Sequence, residues 1–126
     1  MSQPDARTVI LLAEDDPDIR ESFSELLGMF GYTVHPVANG AEALEFLRVT
    51  ATLPRLIVLD LVMPVMDGFT LRERCRQTPE WASIPMLVMS ADPGAARRLE
   101  GPVTILRKPV DMHEVMAIVE KLVAAT

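Results

Sequence analysis

Glu14-Asp15, Asp60, Ser90 and Lys108 share one kind of position: each stands at or just past the end of a short apolar run. Carboxylates gathered at one point repel one another and tend to stay protonated unless a cation is supplied. Oxygen ligands with no histidine or cysteine among them suit magnesium, which takes one or two carboxylates, a backbone carbonyl and several waters. Lys108 adds a mobile point charge suited to a phosphoryl oxygen. Ser90 offers one hydroxyl donor. Together these parts describe phosphoryl transfer onto a carboxylate: cation and lysine spread the charge of the moving group, the hydroxyl caps one oxygen, and Asp60 attacks in line. The product is an acyl phosphate on Asp60, energetic and hydrolysable, which suits a reversible signal.

The elements that must carry these residues are legible in the hydrophobic pattern. Leu56-Ile57-Val58-Leu59 reads as a strand buried on both faces, with Asp60 where it runs out and a tight loop, Met63-Pro64 to Asp67-Gly68, curling over it. Thr8 to Ala13 predicts a first strand, after a polar and frayed start at residues 1–7. Asp16-Pro17 predicts a capped helix carrying Ile19, Phe23, Leu26, Leu27 and Phe30, stopped at Gly31. Tyr32 to Val37 is a second strand, and its Pro36 places it at or near the sheet edge. Asn39-Gly40 opens a helix with Ala41, Leu44 and Leu47 inward. A third helix starts near Asp67, carries Leu71 and Cys75 inward and ends at Thr78-Pro79-Glu80. Ile84 to Met89 is the fourth strand and Val103 to Leu106 the fifth. Between them, Ala95 to Glu100 is a weak helix at best. From Asp111 a last helix carries Val115, Ile118, Val119 and Leu122 on one face. Strands alternating with helices over short connections predict parallel strands joined by right-handed crossovers, a doubly wound α/β sandwich. Ligands of such sheets bind in the crevice outside the carboxyl ends of the strands.

Composition narrows the function classes. The 126 residues, 49% apolar and 24% charged, fit one domain over 1–126 with its core at about 8–124, and leave no room for a second. A formal charge of −6 argues against direct binding to nucleic acid or an anionic membrane. The single cysteine, Cys75, cannot form an internal disulfide, and no apolar run has the length of a membrane span. The N-terminus lacks the layout of a signal peptide, so the expected location is cytoplasmic.

Several residues have a plainer reading. Asp16 is the best helix cap of the acidic run and takes no catalytic role. His35 and His113 read as surface residues, Met63, Met66, Met86 and Met89 as gap-fillers or loop supports, and Cys75 as inert packing. Arg72, Arg74, Arg76, Arg97 and Arg98 read as solvated faces, and Trp81 as a partly exposed anchor. An aspartate ending a strand is more often a cap or turn former than a nucleophile. Asp60 is assigned otherwise because four supporting positions stand with it.

With those residues in view, the sequence resembles the receiver domains of two-component response regulators from about residue 8 to residue 124. Glu14-Asp15 stands at the acidic pair, Asp60-Leu61-Val62-Met63-Pro64-Val65-Met66-Asp67-Gly68 at the phosphoacceptor loop, Ser90-Ala91 at the hydroxyl-alanine pair, and Lys108-Pro109 at the lysine before a typically cis proline. The resemblance implies a flavodoxin-like (β/α)5 fold with strand order 2-1-3-4-5. It implies phosphate arriving on Asp60 from a histidine kinase or phosphotransfer protein, and magnesium on Asp15, Asp60 and the Val62 carbonyl with Glu14 acting through water. Two departures stand out. Ile105 occupies the switch position that is Tyr or Phe in most receivers, and Lys108 follows Ser90 after only 18 positions, which predicts a short or irregular fourth helix. The expected protein is a stand-alone receiver, monomeric or dimerising on phosphorylation, that acts on another protein and catalyses only its own phosphorylation and dephosphorylation. A fragment of a longer chain is the other possibility. The rivals are a receiver-like module binding a partner independently of phosphorylation, and a magnesium phosphohydrolase. Against the latter, Val62 stands where such enzymes often place a second acid, and there is no lid domain.

Overall fold

The computed structural model describes residues 8–99, 101 and 103–124; the expected fraying of residues 1–7, and Glu100 of the polar stretch, lie outside them. The elements run β1 (Val9–Ala13), α1 (Pro17–Met29), β2 (Thr33–Val37), α2 (Gly40–Val49), β3 (Leu56–Asp60), α3 (Gly68–Gln77), α4 (Pro79–Ala82), β4 (Met86–Ser90), α5 (Pro93–Ala96), β5 (Val103–Arg107) and α6 (Met112–Ala124). The strands form one parallel sheet in the order β2-β1-β3-β4-β5, as expected, with β2 and its proline at the edge. No helix among the described residues is long and apolar enough to cross a membrane.

Alternation along the strands divides the core into two layers. Leu11, Ala13, Ile57, Leu59, Met86 and Val88 share one cluster with Ala43, Leu44 and Leu47 of α2 and Leu71 and Cys75 of α3. Ile10, Leu12, Val58, Leu87 and Met89 share the other with Phe23 and Leu27 of α1 and Val115 and Val119 of α6. Helix starts are fixed by side-chain caps: an Asp16 carboxylate oxygen accepts the N–H groups of Asp18 and Ile19 at 2.9 and 3.2 Å, Asn39 accepts that of Glu42 at 2.9 Å, and Asp67 that of Thr70 at 2.9 Å.

The structure corrects three local readings. Ile19 and Phe30, placed on the inner stripe of α1, are 46% and 48% exposed. The sheet takes only Phe23 and Leu27, and the flank beside them opens into a groove of about 670 Å³ that Ile19, Leu26, Val110 and Met112 help to line. Arg72, read as solvated, is only 2% exposed. It is three residues before the buried Cys75 on α3, and the backbone of Gly101, at φ +94°, leaves the space its guanidinium occupies; a Cβ there would come within 2.1 Å of a guanidinium nitrogen. Desolvation pulls its pKa down, with the nearby charges of Cys75, Arg76 and Glu73 acting more weakly. After α3 the chain does not simply leave helix: Pro79 starts one further turn, α4, with proline at a first-turn position.

Two consequences can be measured. A Cβ on Gly68 would lie 2.9 Å from the Leu61 Cα and 2.8 Å from a Leu59 methyl carbon. Gly68→Ala is therefore expected to lower stability by about 2 kcal/mol through overpacking, read as a fall in the urea midpoint. Burial pushes the Cys75 thiol up to about 11, with Arg72 pulling weakly the other way. Native protein at about pH 8 should resist alkylation until it is unfolded, whereas denatured protein should react at once; fast labelling of the folded chain would contradict its inert role.

Candidate functional site

Strand register brings the chemical residues to one edge. Ala13 pairs with Leu59, so Glu14, the residue that follows β1, is level with Asp60. Asp60 pairs with Met89, and Ser90 with Arg107, so Ser90 and Lys108 arrive one step further along. Three carboxylates, those of Glu14, Asp15 and Asp60, contribute oxygens that all lie within 4.8 Å of one another. The Lys108 ammonium donates to the Asp60 carboxylate, and its backbone N–H donates to the Ser90 carbonyl at 2.9 Å. The Lys108-Pro109 bond is cis. Glu14, Asp15, Asp60, Ser90 and Lys108 all reach this edge.

Their surroundings differ. Asp60 is 6% and Glu14 2% exposed, while Asp15 faces solvent. Burial raises the Glu14 pKa above the usual carboxylate range; the Asp16 N–H, donating to it at 3.1 Å, opposes this, while Asp15 and Asp60 add to it. Burial alone would lower Lys108, but its hydrogen bond to Asp60 and the charges of Asp60, Glu14 and Asp15 outweigh that, so its pKa is raised. Two acids and a third held beside them, one of them reluctant to ionise, are a donor set that a hard divalent cation fits. The other Asp60 oxygen accepts the Val62 N–H at 3.1 Å, which turns the loop so that Val62 follows directly over the acid.

The loop from β3 to α3 is held at both ends. Gly68 donates its N–H to the Leu61 carbonyl and Gly40 to the Met66 carbonyl, each at 2.9 Å, which ties the loop to the start of α2. Between these anchors Met66 donates to the Pro64 carbonyl at 2.7 Å, closing a γ-turn on Val65 at φ 67°. A β-branched residue there carries strain of about 1–3 kcal/mol. Val62 and Val65 are 80% and 84% exposed, so the acidic pocket has an apolar rim.

On the other side, the Ser90 hydroxyl donates to the Asp92 carbonyl and accepts the Asp92 N–H, both at 3.0 Å. It is thus tied to the residue that opens α5. Ile105 is half-buried against the cluster of α2 and α3. The expected shortening of the fourth segment is present: among the described residues, α5 is the single turn Pro93–Ala96 between β4 and β5.

One contact was not anticipated. Arg20, in the first turns of α1, donates one guanidinium N–H group to the carbonyl of Glu14 at 2.7 Å and reaches that of Asp15 at 3.4 Å. An arginine one helical turn past an acid-rich loop is the sequence signal that could have pointed to it.

Comparison with known proteins places this edge in context. The profile of the response regulator receiver domain matches residues 10–120. The chain is 37% identical over 119 residues to the sensor histidine kinase TmoS of Ectopseudomonas mendocina and 33% identical over 120 residues to the response regulator Rre1 of Synechocystis, each over 91% of its own length. It spans 12% and 51% of those two proteins. A crystal structure of the signal receiver domain of a histidine kinase from Syntrophus aciditrophicus superposes with a TM-score of 0.85 at 30% identity, covering 94% of this chain and 92% of that one. A doubly wound parallel α/β sheet with an acidic pocket at its carboxyl edge is thus the class of structure. The chain belongs to the response regulator receiver domain family of two-component systems.

Proposed function

We propose that this chain takes a phosphoryl group onto Asp60 from a histidine kinase or phosphotransfer protein and passes the signal on by protein contact. The observation that carries this reading is the clustering of the Glu14, Asp15 and Asp60 carboxylates within 4.8 Å, with Lys108 donating to Asp60. Asp15, Asp60 and the Val62 carbonyl would hold magnesium, with Glu14 assisting through water; the ion would supply charge neutralisation for the transferring group. The Asp60 oxygen attacks phosphorus while the bond from phosphorus to the donor's leaving group breaks, and the leaving group gains a proton. Lys108 then pairs with a phosphoryl oxygen in place of the carboxylate oxygen it now holds. Ser90 exchanges its hold on Asp92 for another phosphoryl oxygen. A cytoplasmic location fits the kinase as donor. Intact mass after incubation with magnesium and a small acyl-phosphate donor, beside Asp60→Asn, tests the reading.

A second reading is favoured by Ile105 and by the single turn of α5: a receiver-like module whose partner binding ignores phosphorylation. It requires equal partner affinity for the wild type, under phosphorylating conditions, and Asp60→Asn.

A further inference from the structure

We infer that Arg20 is a positioning residue for the magnesium site, fixing the backbone from which Glu14 and Asp15 project; this rests on the reading of the acidic cluster as that site. The three acids that follow β1 are restrained in different ways. Glu14 is anchored through its N–H, which donates to the Val37 carbonyl at 3.0 Å, and through its carboxylate, which accepts from Asp16. Asp16 is committed to capping α1. Asp15 stands between them, its side chain exposed, and its aim depends on the two peptide planes on either side of it. Those planes carry the carbonyls of Glu14 and Asp15, which are the two oxygens that Arg20 addresses, at 2.7 and 3.4 Å. A charge-assisted hydrogen bond from a planar guanidinium fixes direction as well as distance. Arg20 is itself set by the first turns of α1, where its N–H donates to the Asp16 carbonyl at 2.9 Å. The helix thereby grips the loop it follows.

Positioning can be told from simple charge by the sign of the effect. A cation held beside a divalent-metal site repels the metal, so charge alone predicts that removing Arg20 tightens magnesium binding. Positioning predicts the opposite. Partners that orient metal ligands from outside the coordination sphere typically change affinity by about 10–100-fold when removed.

The experiment is magnesium titration by isothermal calorimetry of wild type, Arg20→Ala and Arg20→Lys, with urea unfolding of each in metal-free buffer. Arg20→Ala should weaken magnesium about tenfold while its metal-free midpoint stays close to wild type. Arg20→Lys keeps the charge and one donor and should recover part of the loss. Should Arg20→Ala prove too unstable to titrate, Arg20→Lys alone decides: weaker binding at unchanged charge supports positioning, wild-type affinity overturns it. Unchanged or tighter binding by Arg20→Ala overturns the inference while leaving the site in place. Absence of magnesium binding by the wild type defeats the underlying reading, and the inference with it.

Discussion

Incubated with magnesium and an acyl-phosphate donor, the wild-type chain is expected to gain one phosphoryl group, and Asp60→Asn none. The substitution is nearly isosteric, and the remaining side-chain oxygen can still accept the Val62 N–H that the Asp60 carboxylate accepts at 3.1 Å. What it removes is the anionic oxygen that must attack phosphorus, because an amide oxygen is a poor nucleophile at neutral pH. Asp60 is 6% exposed at the end of a fully buried strand, so its environment changes little beyond the loss of a charge facing Lys108. The effect should be all or none on mass while far-UV circular dichroism is retained. Equal gain by both proteins would move the acceptor elsewhere, with Asp15 the exposed candidate. No gain by either, together with no magnesium binding, would favour the phosphorylation-independent module.

The site was legible because each of its residues stands at or just past the carboxyl end of a strand, and runs such as Leu56 to Leu59 are unambiguous in a parallel sheet. Register then does the rest: parallel pairing of β1, β3, β4 and β5 brings residues from 14 to 108 to one edge. Interactions outside the periodic pattern were harder to see. Arg72 carries a charge on a helix that looks half-polar, and its burial depends on Gly101, 29 positions away, vacating space by a positive φ. Ile19 and Phe30 have the spacing of core residues, but Ile19 lines the groove beside α1 and Phe30 a second, smaller one between α1 and α6, and spacing along one helix does not report where its neighbour diverges. The γ-turn at Val65 is masked by its residue type, since a β-branched side chain at positive φ is the least expected occupant.

The fourth segment links these two kinds of reading. Its shortness followed from the resemblance to receiver domains, which implies a longer spacing between Ser90 and Lys108, but its attachment did not. In the structure the Ser90 hydroxyl holds both backbone groups of Asp92, and Arg98 lies 5.1 Å over the Phe69 ring of α3. A hydroxyl withdrawn from Asp92 toward a phosphoryl oxygen would release the start of α5 directly.

Asp15→Ala should cost magnesium affinity heavily, by about 100-fold or more, because it deletes an anionic ligand and not merely a partner of one. The core should be untouched, since Asp15 is exposed and contributes to neither hydrophobic cluster. Metal-free stability gives the complementary sign. Burial, together with Asp15 and Asp60, holds the Glu14 pKa above its ordinary value, so the folded state binds a proton more readily there than the unfolded chain does. Stability from such a group is greatest below the unfolded value and falls as pH rises through the folded one. Removing Asp15 removes one of the causes of that rise. Asp15→Ala is therefore expected to show a shallower fall of metal-free stability with rising pH than the wild type, read from urea midpoints across the acid range. Excess magnesium should raise the stability of the wild type more than that of Asp15→Ala, since it stabilises most the protein that binds it best. Magnesium affinity equal to wild type would remove Asp15 from the site, and an unchanged pH dependence of metal-free stability would show that its carboxylate does not act on Glu14.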